Sequence, residues 1–376
     1  MNAPKPKRLA RALSTAAALV CWAAVAPSPV PSGAADSLPA ELAPLPAGRP
    51  LNQDMVELGR YLFFDPRLSG DAALACATCH DPKKGWGDGQ ALSRGYPASE
   101  YFRNAPSLLN TRHRARFMWD GRLDGTDPGT LVRDMVTESH TMNADGRLVQ
   151  ERLKQVPEYV AMWQKIFGKG TDPYGPRMFN VVGEFIRSIE SRNIPFDRYL
   201  RGDQGALSEE AKMGLALFKG KAGCIQCHHG PTLSDGKLHR LGVPEHPEVW
   251  NDPLRAITML RHYATSGMPG YMNARTDVGL YAITKNDKDM GKFLTPGLRD
   301  LRHTAPYMHN GVFGTLAELV EFYHRGGGPG SEVKPLGLSD AEKNALVAFL
   351  ESLSGDAVVV DAPALPPYRA RALGKN

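Results

Sequence analysis

Cys76-Ala77-Thr78-Cys79-His80 and, 148 residues later, Cys224-Ile225-Gln226-Cys227-His228 are the stretches on which the reading of this chain turns. Each sets two thiols three positions apart with an imidazole directly behind the second. That spacing matches the two vinyl groups of a porphyrin, to which the thiols add, and it directs the histidine at the iron. A Cys-x-x-Cys pair alone is open to zinc, thiol redox or disulfide readings. A histidine behind it, twice in one chain, selects c-type haem. Two covalent haem c groups are therefore expected, one on Cys76, Cys79 and His80 and one on Cys224, Cys227 and His228.

Working outward, 376 residues suggest two domains. Lys5, Lys7, Arg8 and Arg11 lead into an apolar run from Leu13 to Ala26 and then small residues, so 1–35 reads as a secretory signal peptide and the periplasm as the destination. The cleavage site stays open between Ala26 and Ala35. The run is too short to span a bilayer, and with no other long uncharged apolar run no integral membrane segment is expected in the mature chain. Cys21 falls in the leader, and the other four cysteines all lie in the two motifs, which leaves none for a disulfide. The formal charge of +5 falls to about +1 without the four basic residues of the leader. Composition therefore gives no ground for nucleic acid or an acidic membrane as partner.

Apolar positions recur at helical spacing over Met55 to Phe64, before the first motif, and at Leu215, Leu217 and Phe218, before the second, where Ser208 is the expected N-cap. Leu148 to Phe167 and Met178 to Ile189 carry the same period, and Thr315-x-x-Glu318 and Ser339-x-x-Glu342 read as capping boxes of two late helices. Residues 36–53 read as a mobile lead-in, and His229 to Gly291 reads as long loops. The fold class is mainly α with few or no strands. The domains are 36–203, 204–355 and a tail, 356–376, laid over the surface.

Leu58-Gly59-Arg60-Tyr61-Leu62-Phe63-Phe64-Asp65-Pro66-Arg67-Leu68-Ser69, Arg103-Asn104-Ala105-Pro106, Trp119-Asp120-Gly121-Arg122 and Thr304-Ala305-Pro306-Tyr307-Met308-His309-Asn310-Gly311 resemble the bacterial di-haem cytochrome c peroxidase family, which includes the MauG-type enzymes. The resemblance spans most of the chain after the leader. It implies two cytochrome c-like helical domains with one haem each, the N-terminal haem being the peroxide-reactive one. Where the family's peroxidases carry a distal histidine, seven residues before the arginine of Arg-Asn-Ala-Pro, this chain has Tyr96, which implies an open first haem. His113, among three arginines, reads as a surface residue rather than a substitute ligand. Trp119 matches the tryptophan that the family places between its haems.

The family's catalytic glutamate lies about twenty residues after that tryptophan, with a glutamine midway. Here Gly129 stands at the glutamine position and Ser139 at the glutamate position, so Glu138 is the first candidate for the proton work and His140 the second. The glutamate would need burial to raise its pKa for that role. Tyr323, fourteen residues after His309, falls where the peroxidases have a methionine ligand and the MauG-type enzymes a tyrosine, and Met308, Met290 and Met268 are in reserve. A residue-for-residue match gives a calcium site at Asn104, Thr304 and Pro306. The implied function is a MauG-like peroxidase that reduces hydrogen peroxide at the N-terminal haem and shares oxidising equivalents with a His/Tyr second haem. The electron donor would be a c-type cytochrome, a cupredoxin or a substrate protein. The alternatives are a cytochrome c peroxidase for peroxide detoxification and a di-haem electron-transfer cytochrome.

Overall fold

The structure is a computed structural model that describes residues 41–97, 99–173 and 175–369; the leader read over 1–35, with Cys21, lies outside them. In the first half, α1 (Gln53–Phe64), α2 (Cys76–Cys79), α3 (Pro128–Thr137), α4 (Gly146–Lys154), α5 (Pro157–Phe167), α6 (Pro176–Arg187) and α7 (Pro195–Leu200) follow one another. The second half continues with α8 (Glu209–Lys219), α9 (Glu248–Asn251), α10 (Pro253–Thr265), α11 (Tyr281–Thr284), α12 (Leu316–His324) and α13 (Asp340–Ser352). Strand is confined to two antiparallel ribbons among the described residues. One pairs β1 (Arg116–Phe117) with β2 (Leu123–Asp124), and the other pairs β3 (Leu238–Arg240) with β4 (Lys292–Leu294). The mainly helical class read from the sequence is the one observed.

The helix that precedes each haem motif crosses a later helix at a glycine. A Cβ on Gly59 of α1 would lie 2.3 Å from the Val181 carbonyl oxygen of α6, and one on Gly214 of α8 would lie 1.9 Å from that of Ala345 in α13. Backbone thus packs on backbone in both halves, and no larger residue fits. Gly214→Ala is expected to lower the unfolding free energy by about 1–3 kcal/mol through overpacking, read from thermal or denaturant unfolding of the holoprotein.

The caps follow the sequence. Ser208 Oγ accepts from Ala211 N at the start of α8, and the two capping boxes open α12 and α13. The stretch from Leu148 to Phe167 is two helices and not one. Pro157 disfavours helical backbone at the residue before it, and Val156 is extended at φ −110°, ψ 100°. His229 to Gly291 is not all loop either. Asp252 caps Leu254 N and Pro253 occupies the first turn of the thirteen-residue helix α10. Thr258, Met259, His262 and Tyr263 form its buried face.

Three apolar cores result. One joins α1, α3, α5 and α6, a second joins α8, α12 and α13, and a third packs α10 against Leu92 and Phe102 from the first half. The two ends of the described chain cross over between the first two. The lead-in is pinned and not mobile from residue 41, because Gly230 N donates to the Glu41 carbonyl (2.7 Å) and Leu42 packs on the second core. The tail, read as lying on the surface, instead buries Val358 in the first core, where its carbonyl accepts Trp86 Nε1–H at 2.7 Å. Removing residues 356–376 therefore leaves a buried indole N–H without its acceptor, with an expected loss of about 1–3 kcal/mol in unfolding measurements.

Candidate active site

The two pentapeptides fold differently but end in the same geometry. Cys76–Cys79 forms one α-helical turn, whereas Cys224–Gln226 forms a 3-10 turn. In both, the histidine N–H donates to the carbonyl of the first cysteine at 2.9 Å, for His80 to Cys76 and for His228 to Cys224. In both, the imidazole Nδ1 lies 2.9 Å from a carbonyl oxygen, that of Trp86 for His80 and that of Leu233 for His228. A carbonyl only accepts, so Nδ1 carries the hydrogen and Nε2 keeps its lone pair. Trp86 (φ 64°) and Leu233 (φ 54°) both adopt the left-handed conformation, costly for side chains of their size. The same strained device recurs at both histidines. Burial also depresses both imidazoles, which favours the neutral, ligating form. With its lone pair free, Nε2 of each histidine would be the atom that holds a haem iron.

The second motif opens on a cavity of about 1280 Å³, lined among others by Cys224, Cys227, His228, Tyr323, Trp119 and Asn104. Tyr323 comes from α12, whose Leu316, Leu319 and Val320 fill the second core. Among the described residues no hydrogen bond holds its hydroxyl, and burial, with the two cysteines nearby, pushes its pKa up. Without a cation on it the phenol stays neutral. Met308 and Met290 also line this cavity, whereas Met268 is buried in the third core. His113 is not a surface residue: its Nε2 lies 2.7 Å from Glu190 Oε1, its side chain is 9% exposed, and it lines this same cavity.

Trp119 sits in the turn between β1 and β2, its indole N–H donating to the Asn104 carbonyl at 3.0 Å and its carbonyl accepting from Leu294 N at 2.8 Å. Asn104, Thr304 and Pro306 all line this cavity. The Asn104 amide nitrogen is committed to the Gln90 carbonyl at 2.7 Å, which leaves Oδ1 as its acceptor. The Thr304 and Pro306 carbonyls accept no hydrogen bond among the described residues. Three unclaimed oxygens suit a hard cation such as calcium.

Arg94 lies beside the first motif, its carbonyl 3.8 Å from Cys79 Sγ. Tyr96 is tied to the segment that follows α3, since its N–H donates to the His140 carbonyl at 3.2 Å. Glu138 caps α3 and His140 follows it, 5% exposed and stacked on Tyr101 with ring centroids 5.4 Å apart. Glu138 and His140 are therefore one site. His140 Nε2 lies 3.1 Å from Glu138 Oε2, although the approach is too oblique to satisfy either atom. Arg122 Nη2 lies 3.4 Å from the other oxygen of Glu138.

Burial opposes ionisation of Glu138, yet His140 and Arg122 outweigh it and bring the carboxyl below its usual range. The shift is opposite to the burial-raised acid that the sequence suggested. Glu138 is a carboxylate, suited to accepting a proton. Gly129, at the family's glutamine position, faces α6: a Cβ there would lie 1.8 Å from Asn180 Oδ1, the movable end of an exposed side chain.

Behind this pair runs a buried charge chain. Arg103 binds Asp277 through Nε (2.6 Å) and Nη2 (2.8 Å) and Asp120 through Nη1 (2.7 Å), and Asp120 also accepts from Arg122 at 3.0 Å. Although burial opposes it, Arg103 and Arg122 hold the Asp120 carboxyl well below the usual range. Arg103, Asp120 and Arg122 lie within the motifs that carry the family resemblance, but nothing in their spacing marks the ion chain.

The model of the di-haem cytochrome c peroxidase family matches residues 53–205. A relative named cytochrome-c peroxidase IdrP2, from Pseudomonas sp. (strain SCT), is 64% identical over 89% of this chain and 91% of its own length. The chain belongs to the di-haem cytochrome c peroxidase family. This di-haem peroxidase is also 35% identical to the methylamine utilization protein MauG of Methylorubrum extorquens over 87% of this chain and 85% of that one. A solved MauG-like protein associated with microbial copper homeostasis superposes with a TM-score of 0.70 over 90% of this chain and 97% of its own, at 24% identity, and shares the fold. No helix among the described residues is long and apolar enough to cross a membrane.

Proposed function

We propose that the chain is an exported, periplasmic MauG-like peroxidase that reduces hydrogen peroxide at the first site and shares the oxidising equivalents with the second. Cys76 and Cys79 would anchor the first haem with His80 Nε2 as its axial ligand, and Cys224, Cys227, His228 and Tyr323 would hold the second. Haem supplies the redox chemistry when bound. The chain supplies what surrounds it. Glu138 takes up a proton beside His140, Arg122 keeps that carboxylate ionised, and Trp119, which lines the cavity of the second site, would carry oxidising equivalents between the two. Asn104, Thr304 and Pro306 would hold calcium beside that tryptophan.

The observation that carries this reading is Tyr323, whose hydroxyl has no hydrogen-bond partner among the described residues and shares one cavity with Cys224, Cys227 and His228. A phenolate oxygen there favours the oxidised metal and lowers the potential, which suits storage of an oxidising equivalent better than uptake of an electron. Tyr96 in place of a histidine supports an open first site. For the electron donor, the 64% identity to a relative named cytochrome-c peroxidase favours a reduced c-type cytochrome over a cupredoxin or a substrate protein.

Ferric electron paramagnetic resonance tests the reading. One high-spin and one low-spin signal are expected, and stoichiometric peroxide should diminish both without prior reduction. Two low-spin signals that neither cyanide nor peroxide perturbs would point to an electron-transfer cytochrome. A requirement for one-electron reduction before peroxide reacts would point to a reductively switched peroxidase.

A further inference from the structure

Tyr101 Oη, Glu138 Oε2, His140 Nε2 and His262 Nε2 are all buried without a hydrogen-bond partner among the described residues. Three of these side chains come from the first half. His262 enters from the other half of the chain, on α10, and is 4% exposed. Its ring stands edge-on to His140 with centroids 6.3 Å apart and packs on Phe102 at 5.6 Å.

An unsatisfied buried polar atom costs about 1–3 kcal/mol, so packing alone is a poor reason for a histidine here. A leucine or phenylalanine would fill the same face, beside Thr258, Met259 and Tyr263, without that cost. What faces His262 instead is chemistry. Asp120 Oδ2 lies 3.6 Å from Nε2, and Arg103, Arg122, Glu138, His140, Tyr101 and Tyr263 complete the titratable and charged surroundings. Asp120 is ionised between its two arginines and can stabilise an imidazolium, while burial and the same arginines favour the neutral ring. Burial is the largest influence and lowers the pKa, so the ring rests neutral with a lone pair free to accept a proton, and Asp120 at 3.6 Å can stabilise the imidazolium that results.

We propose that His262 is a proton-holding partner of the Glu138–His140 pair, receiving the proton that a hydroxylic ligand gives up at the first site and returning it to the leaving group. The proposal rests on the Glu138–His140 reading above. The O–H bond of peroxide breaks and an N–H bond forms on His262 by way of the pair. That N–H bond then breaks as the O–H bond of the departing water forms, so no net proton is taken up and no electron passes through the imidazole.

Cyanide serves as the probe, because hydrogen cyanide surrenders its proton as it binds ferric haem. In weakly buffered solution near neutral pH, with an indicator dye, the wild-type holoprotein is expected to release almost no proton on binding cyanide. His262→Gln and His262→Phe are each expected to release close to one proton per first-site haem. Each should also react with peroxide about ten-fold more slowly. Unchanged haem spectra and melting temperatures identify the variants that are folded. If both folded variants retain the proton and react within two-fold of wild type, His262 is a packing residue and the proposal falls. Glu138→Gln and His140→Gln separate the two levels. An effect of these with none of His262→Gln overturns this inference alone, whereas no effect of either overturns the reading beneath it.

Discussion

Glu138→Gln is expected to slow the reaction of the ferric holoprotein with hydrogen peroxide by about 100-fold or more, the usual size of a general-base contribution. The carboxylate is kept ionised by Arg122 at 3.4 Å and His140 at 3.1 Å, and its Oε2 is buried on the His140 side. Glutamine keeps the shape and removes the proton acceptor. The carboxyl pKa is depressed, so the base form is present above it and the wild-type rate should decline only as pH falls through a value below the ordinary glutamate range. That acid limb should vanish in the variant. His140→Gln should cost a similar factor and the double variant little more, because residues acting as a unit are not additive. Stopped-flow spectra at several pH values read all three. A Glu138→Gln protein reacting within three-fold of wild type, with its acid limb intact, would remove Glu138 from the proton work.

Tyr323→Met should raise the potential of the second haem on the order of 100 mV or more, since axial ligands tune haem over roughly 0.8 V. The hydroxyl at stake comes from α12, stands in the cavity with Cys224, Cys227 and His228, and is claimed by no other group among the described residues. Replacing a hard anion by a thioether stabilises ferrous iron. Tyr323→Phe removes the ligand without a substitute and should convert the low-spin second-haem signal into a high-spin one. Leu316, Leu319 and Val320 anchor α12 independently of the hydroxyl, so both variants should fold. Spectroelectrochemistry reads the first and paramagnetic resonance the second. An unchanged second-haem spectrum in Tyr323→Phe would transfer the ligand role to Met308 or Met290, which line the same cavity.

Much of the molecule was legible one element at a time. The caps at Ser208, Thr315 and Ser339 were readable because an N-cap is satisfied within three residues of itself. The halting of a helix at Val156 follows from Pro157 alone, yet the apolar period ran through it and concealed the break. Helix α10 was hidden in a segment rich in Gly, Pro, Asp and Asn, where its Asp-Pro start resembles a turn. The tail was misplaced because the acceptor of the Trp86 indole is Val358, 272 residues away.

The sequence by itself determined the two haem motifs, the helical class, the family, and the pairing of Glu138 with His140 as neighbouring candidates. These depend on spacing within a few residues, which the covalent chain enforces. Only the tertiary structure decided the direction of the Glu138 shift, the burial of His113 against Glu190, and the arrival of His262 beside His140. Charge and burial act through space, and the groups responsible come from elements that the chain separates and the packing of three cores brings together.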